Sequence, residues 1–213
     1  MLQTLILYHP WIAVVAWVVL YTSDYHLTLW GERLYRAQNH VLHTGSYELT
    51  PGYQNDVDSQ RKVSWRFLLW LVSGAVWLLI PCALAVPGSS LYSFVFLGFV
   101  GLLLVPEVFV HCRHLHNICF YRALQNAPAA VSGSITYSRS LTYRVSATES
   151  LGWSLALLMA YALTSSPVLL GGVVGMLRTT YHHLRYARRA EAAVGAASEE
   201  QVANVEAVDE PNV

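Results

Sequence analysis

Charged residues are scarce in this 213-residue chain: Asp, Glu, Lys and Arg together make up only 12% of it. A soluble domain usually carries about a quarter charged residues, so the composition excludes an ordinary soluble globular protein. Cysteine is also scarce, with three residues and no Cys-x-x-Cys pair, and we expect lone buried or juxtamembrane thiols. The chain has no glycine-rich phosphate loop, no Ser-His-Asp spacing and no nucleic-acid signature, so we expect no nucleic-acid partner.

In place of charge, the chain has four long apolar runs, in which Glu107 is the only charged residue. They cover residues 2–21, 67–86, 91–110 and 151–177. About 20 apolar residues span a bilayer as a helix, and in lipid the backbone must satisfy its own hydrogen bonds. The sequence predicts an all-α integral membrane protein with the lipid membrane as its partner. No basic segment precedes the first run and no small-residue cleavage site follows it, so we expect a retained helix.

The basic residues predict an orientation, because Lys and Arg near span ends favour the cytoplasmic side. They are absent before the first run and from the link 87–90, and they occur in both long loops. The fourth run is interrupted by Thr164-Ser165-Ser166-Pro167, a turn-forming cluster. Splitting the run there gives five transmembrane helices in the cell membrane, with the N-terminus outside and the C-terminus cytoplasmic. An unbroken fourth run gives four spans and a C-terminus outside, which we consider the alternative.

The charge also divides the chain into two parts. Residues 1–189 contain all 13 Lys and Arg and form the predicted polytopic transmembrane domain. Residues 190–213 contain six acidic residues and no base, and we expect this acidic C-terminal tail to be disordered or at most a fraying helix. Within the second long loop, residues 134–145 alternate between polar and apolar side chains, which predicts a strand or a small hairpin.

Histidine is the residue type that suggests chemistry, and seven of the nine fall into three groups. The groups are His40 and His43; His111, His114 and His116; His182 and His183. Glu107, His111 and His114 share one helix face, because they follow i, i+4, i+7 spacing. Imidazole and carboxylate are ligands of zinc and of non-haem iron. We predict a metal site of Glu107, His111 and His114, completed by His182 or His183. A haem held by one His from each of two spans and a purely interfacial role of the histidines are the alternatives.

Four ionisable residues are expected within or at the edge of the bilayer: Asp24, Glu107, Glu149 and Arg178. Such groups are costly in lipid, so they usually face the bundle interior and pair with one another. We predict a Glu107–Arg178 pair and a substrate or ion path lined by the four residues, or else a pair that only fixes helix registry.

Gly171 and Gly175 form a Gly-x-x-x-Gly motif in the last span. Small residues at this spacing let two helix backbones approach closely. The motif therefore indicates a close helix contact, either within the chain or in a homodimer.

Two classes of function are compatible with these patterns. The first is a small polytopic membrane protein of transporter, channel or membrane-accessory type, with the charged cluster at the cytoplasmic ends of its helices. The alternative is a membrane-bound metal- or haem-dependent oxidoreductase that acts on a lipid or a quinone.

Overall fold

The computed structural model describes residues 2–38, 42–43, 45–84 and 89–208. The chain is all-helical apart from one pairing of two-residue strands, and the all-α prediction is confirmed. The helices are α1 (Leu2–Tyr8), α2 (Trp11–Ala37), α3 (Gln54–Asp58), α4 (Trp65–Leu84), α5 (Ser90–Asn126), α6 (Arg139–Thr164) and α7 (Pro167–Val208), with a 3-10 turn at Pro128–Ala130. The strands are β1 (Leu42–His43) and β2 (Ile135–Thr136), which run parallel.

Two of these helices, α2 and α5, are long and apolar enough to cross a membrane. Only 28% and 22% of their apolar windows are buried within the chain, whereas the core helix of a soluble protein is mostly buried. Helix α4 contributes a shorter apolar stretch, Trp65–Pro81. The length and the apolar composition of these helices support a membrane location for the protein. The number of spans, the orientation and the type of membrane remain predictions.

Helix α2 is held against α4 by aromatic side chains. The Trp17 indole donates to the carbonyl of Leu71 over 2.9 Å, and its ring lies where a side chain at Gly74 would otherwise be. One turn later the Tyr21 ring stacks on Phe67, with ring centres 5.7 Å apart. This packing fixes the rotation of α2 and therefore the direction of its polar residues farther along the helix.

The chain turns between α6 and α7 at the cluster that the sequence marks as a break. Ser165 has a left-handed φ of 52°, and its amide donates to the carbonyl of Tyr161. This left-handed residue ends α6 after Thr164. Pro167 begins α7, a position where its missing N–H costs nothing. The two helices then pack along each other. The predicted interruption is confirmed, and α6 and α7 are separate helices.

The strand predicted over residues 134–145 is wrong for most of its length. Only Ile135 and Thr136 are in a strand, whereas residues 139–145 form the start of α6. The Ser138 hydroxyl caps this helix by accepting from the Leu141 amide over 3.2 Å. Tyr143 and Ala147, one turn apart, are both buried. The helix cap and this one-turn spacing outweigh the two-residue alternation on which the strand prediction rested.

The described part of the acidic tail continues helix α7 as far as Val208. Ala and Glu are good helix formers, and they dominate this segment. Near its start, the Arg144 guanidinium of α6 donates to both carboxylate oxygens of Glu191, over 2.9 and 3.0 Å. Of the two expectations for this tail, disorder or a fraying helix, the described residues 190–208 follow the helical one, and residues 209–213 lie outside the described part of the chain.

Glycines bring α5 and α7 into close contact. A Cβ added at Gly171 would overlap the carbonyl oxygen of Gly98, and one at Gly101 would overlap the carbonyl oxygen of Val168. At Gly175 an added Cβ would lie 2.6 Å from Cγ of Pro106. The Gly-x-x-x-Gly face is thus used within the chain. A homodimer through Gly171 and Gly175 stays a prediction, to which this packing adds no support.

Candidate cation-binding site

Two carboxylates and one imidazole meet between α2 and α5. Asp24 comes from α2, whereas Glu107 and His111, one turn apart, come from α5. One donor atom from each residue lies within 4.8 Å of the other two, and all three residues are partly buried. This group is called the cation cluster below. It joins the two helices that are apolar enough to span a membrane.

The His111 ring is oriented by a contact within its own helix. Its Nδ1 lies 2.6 Å from the backbone carbonyl oxygen of Glu107. A carbonyl oxygen can only accept, so Nδ1 carries the hydrogen. In the neutral ring Nε2 then has the free lone pair, and it lies 2.6 Å from the hydroxyl of Ser23, the neighbour of Asp24 in α2. The ring is therefore in the tautomer that presents Nε2 as an acceptor or a metal ligand.

The carboxylates of the cluster are incompletely satisfied. Oδ1 of Asp24 and Oε2 of Glu107 are buried and have no hydrogen bond to any described residue. Oδ1 of Asp24 lies 3.0 Å from His114 Nε2, although this contact does not have hydrogen-bond geometry. Among the described residues, no Lys or Arg forms an ion pair with either carboxylate. Buried carboxylates without a basic partner require a cation, and a proton is the smallest one.

His114 connects this cluster to the loop that follows β1. Its Nε2 lies 3.1 Å from the Thr28 hydroxyl, and its Nδ1 lies 3.1 Å from the Tyr47 hydroxyl. Burial raises the pKa of Tyr47 to about 12, so this hydroxyl is protonated at neutral pH and can donate to Nδ1. In the neutral ring Nε2 then carries the hydrogen, on the side of Asp24.

The loop is fixed by a side chain from the other half of the sequence. The Arg139 guanidinium, at the start of α6, donates to the carbonyl oxygens of Ser46 and Glu48. Between these two residues, the Tyr47 ring occupies the space beside Gly31, where a Cβ would overlap it. The loop thereby places one buried hydroxyl against the imidazole of His114.

The other predicted path residues lie elsewhere. Glu149 and Arg178 are exposed, and Arg178 forms no ion pair with Glu107 in the described part of the chain. The predicted Glu107–Arg178 pair is therefore wrong. Arg178 is exposed, and pairing with the buried Glu107 carboxylate would require its guanidinium to lose that hydration.

The two histidines of α7 do not join the cation cluster. His183 is buried beside the rings of Tyr143 and Tyr186, with ring centres 6.2 and 6.4 Å away, and its Nδ1 has no hydrogen-bond partner among the described residues. His182 lies beside Tyr186 on a partly exposed face. Among the described residues, Asp24, Glu107 and His111 form the one group of at least three His, Cys, Asp or Glu side chains that could hold a metal ion, and the predicted ligand His114 is not part of it. Asp24 takes the place predicted for a histidine of α7.

Comparison of the chain with protein-family models, with curated proteins and with solved structures found no match. The functional argument therefore depends on the geometry of the cation cluster.

Proposed function

We propose that this protein is a polytopic membrane protein of transporter or channel type that passes cations through the cluster of Asp24, Glu107 and His111. The observation that supports it is the pair of buried carboxylate oxygens without hydrogen bonds, located between the two helices that are long and apolar enough to cross a membrane. Ionisable groups at such positions are costly and commonly mark ion or proton pathways.

The contacts around the cluster favour the exchange of cations over a static ion pair. A static ion pair would need a Lys or Arg partner, and among the described residues neither Asp24 nor Glu107 has one. His114 and the hydroxyl of Tyr47 extend from Asp24 towards the loop. Imidazoles and hydroxyls can both accept and donate protons, so this row of groups offers a route between the cluster and the loop.

The proposal includes five spans, with the N-terminus outside and the C-terminus cytoplasmic. The distribution of the 13 basic residues supports it, as does the separation of α6 from α7 at Ser165. Under this topology the loop that carries Tyr47 is cytoplasmic, and the cluster lies at the cytoplasmic ends of the apolar runs, near the middle of α2 and of α5.

A second candidate is a membrane-bound metal-dependent oxidoreductase that acts on a lipid or a quinone. It is favoured by the donor set of the cluster, because two carboxylates and an imidazole suit non-haem iron. A haem takes axial ligands such as His, Met, Cys or Tyr, so the two carboxylates of the cluster favour non-haem iron over haem. Elemental analysis and a visible spectrum of the purified protein separate this candidate from a cation pathway.

A flux measurement tests the proposal. Purified protein is reconstituted into liposomes that enclose a pH-sensitive dye, and proton entry is followed after an imposed pH and potential gradient. We expect flux above that of protein-free liposomes, and Asp24→Asn and Glu107→Gln should each abolish the excess. Glu149→Gln is the matched control, because it neutralises an exposed carboxylate and should leave the flux unchanged. Flux equal to the protein-free background, or full flux in both cluster variants, would contradict the proposal.

A further inference from the structure

We infer that Asp24, Glu107 and His111 are the protein ligands of one divalent transition-metal ion, bound between α2 and α5. The inference rests on the proposed role of the same cluster in handling cations. It goes further by naming the class of cation and the three ligands. It also replaces the predicted ligand set, which took all its members from α5 and α7.

The chemistry of the donors selects the class of ion. Carboxylate oxygens alone suit Mg²⁺, Ca²⁺ and Mn²⁺, whereas imidazole suits zinc, copper, iron and nickel. A set of two carboxylates and one imidazole therefore fits Zn²⁺, Fe²⁺ or Mn²⁺. Three protein ligands leave at least one coordination position for water or another ligand. The site thus belongs to the open type, in which the ion can react or exchange.

The geometry is close to that of a bound site. The three donor atoms lie within 4.8 Å of one another, and donors at about 2.1 Å from a shared tetrahedral ion lie roughly 3.4 Å apart. Side-chain movements of about 1 Å therefore close the site. The residues come from two helices whose positions are fixed by aromatic and glycine packing.

His111 is already prepared for coordination. A metal-bound histidine usually donates its other ring N–H to a carboxylate or a backbone carbonyl, which fixes its orientation and its tautomer. Nδ1 of His111 makes such a contact with the carbonyl oxygen of Glu107, over 2.6 Å. Nε2 is then the ligand atom, because the Ser23 hydroxyl, 2.6 Å away, can donate to the carbonyl of Leu20 instead.

The electrostatics require a positive charge at this place. Oδ1 of Asp24 and Oε2 of Glu107 are buried and lack a hydrogen bond, and none of the described Lys or Arg residues is paired with them; the basic neighbour is His114, 3.0 Å from Oδ1 of Asp24. A divalent ion would neutralise both carboxylates at once and would give each orphaned oxygen a ligand bond. A shared proton would serve only the two carboxylates and would leave the oriented His111 lone pair without a role in the cluster.

Metal binding is tested on the full chain, purified in detergent and stripped of metal with a chelator. The protein is titrated with Co²⁺, whose visible bands report its coordination, and the bound Co²⁺ is then displaced with Zn²⁺. We expect one Co²⁺ per chain and no strong near-ultraviolet band from a thiolate ligand. Asp24→Asn, Glu107→Gln and His111→Ala should each weaken Co²⁺ binding by about 100-fold or more, since even an outer-shell partner contributes about 10- to 100-fold.

Matched variants separate this site from adventitious binding. Glu149→Gln and His116→Ala change an exposed carboxylate and an exposed imidazole, and Cys112→Ser removes the exposed thiol next to His111. All three should bind Co²⁺ as the unchanged protein does. Glu107→Asp retains the charge and should fold even if the neutral variant does not. It should shift the visible bands, because the shorter side chain alters the coordination geometry.

Four results would overturn the inference: no saturable Co²⁺ binding, undiminished binding in His111→Ala, loss of binding in Cys112→Ser, or unshifted bands in Glu107→Asp. Proton flux in liposomes together with an absence of Co²⁺ binding would support the cation pathway and refute the metal site. Stoichiometric Co²⁺ binding without any proton flux would support the metal site and refute the pathway.

Discussion

His114 is the residue through which the loop and the cation cluster meet. The ring is buried and uses both nitrogens: Nδ1 faces the Tyr47 hydroxyl, and Nε2 faces Thr28 and Asp24. A second donor, the side-chain amide of Asn117, lies 3.4 Å from the same hydroxyl. Asp24 and the loop are therefore physically linked through one imidazole.

Tyr47→Phe is expected to lower stability without loss of packing, because it removes only the hydroxyl. Nδ1 of His114 would lose its donor, and an unsatisfied buried polar atom costs about 1–3 kcal/mol. Thermal unfolding in detergent, followed by circular dichroism, measures the change. Tyr137→Phe is the control, since that ring is exposed and its hydroxyl should contribute little. Equal stability of the two variants would show that the Tyr47 contact does not hold the loop.

The sequence spacing predicted that some of these residues lie together, but it could not predict which residues contact them. Glu107 and His111 share a helix face through local periodicity, and Asp24 is recognisable as a charge near the end of an apolar run. The position of Tyr47 depends on the contact of Arg139 with the loop carbonyls, across about 90 residues of sequence. No local pattern encodes such a contact, and for the same reason the exposure of Arg178 could not be predicted.

Helices α5 and α7 show how a proline and a glycine can face each other. Pro106 has no N–H, so the carbonyl of Leu102 one turn earlier lacks its usual helical donor. Gly175 packs against both residues, and a Cβ added there would lie 2.8 Å from the Leu102 oxygen and 2.6 Å from the proline ring. Because Gly175 has no side chain, α7 can pack closely over the Leu102 carbonyl, which Pro106 leaves without its helical donor.

The same substitution at two helical glycines should have opposite effects. Gly171→Ala places a methyl group against the backbone oxygen of Gly98, which cannot move aside easily. We expect a loss of about 1–3 kcal/mol, typical of overpacking. Gly152→Ala on α6 meets no atom within 4 Å and should gain about 0.5–1 kcal/mol, because alanine loses less backbone entropy.

Thermal unfolding of the two glycine variants, in the same detergent, provides the comparison. The midpoint should fall for Gly171→Ala and rise or stay constant for Gly152→Ala. A Gly171→Ala protein as stable as the unchanged chain would show that α5 and α7 do not approach this closely.

At the scale of elements, the sequence predicted the long helices better than the segments between them. The apolar runs and the Ser165-Ser166-Pro167 turn are local signals, and helices lie where these signals indicated. Residues 139–145 alternate like a strand, yet they form a helix, because Ser138 supplies a cap and Tyr143 packs one turn before Ala147. Alternation alone did not distinguish a half-buried strand from the exposed start of a helix.

For the whole molecule, the exposed apolar surface is the dominant feature. Among the large apolar side chains on the surface of α2 and α4 are Val15, Val19, Trp70, Val72 and Trp77. Soluble monomers rarely expose contiguous apolar patches of this kind. A lipid surrounding would make such a surface favourable, which agrees with the membrane protein that the composition predicts. The orientation of the spans in the membrane is determined by a direct measurement.

Reporter fusions determine the orientation of the spans in the membrane. A reporter fused after Ala190 should be located in the cytoplasm, because five spans from an outside N-terminus end there, with Arg185, Arg188 and Arg189 on the same side. A fusion within the link 87–90, which carries no basic residue, should report the outside and serves as the opposite-side control. Activity of the C-terminal reporter only outside would restore the four-span arrangement.

The contact between Arg139 and the loop has a consequence for the order of biosynthesis. A chain leaves the ribosome from its N-terminus, so Asp24, the loop with Tyr47, and then Glu107 and His111 emerge before residue 139 exists. Until α6 begins, the carbonyls of Ser46 and Glu48 lack the guanidinium that holds them. During synthesis the loop that carries Tyr47 therefore lacks this contact until a residue about 90 positions later has emerged.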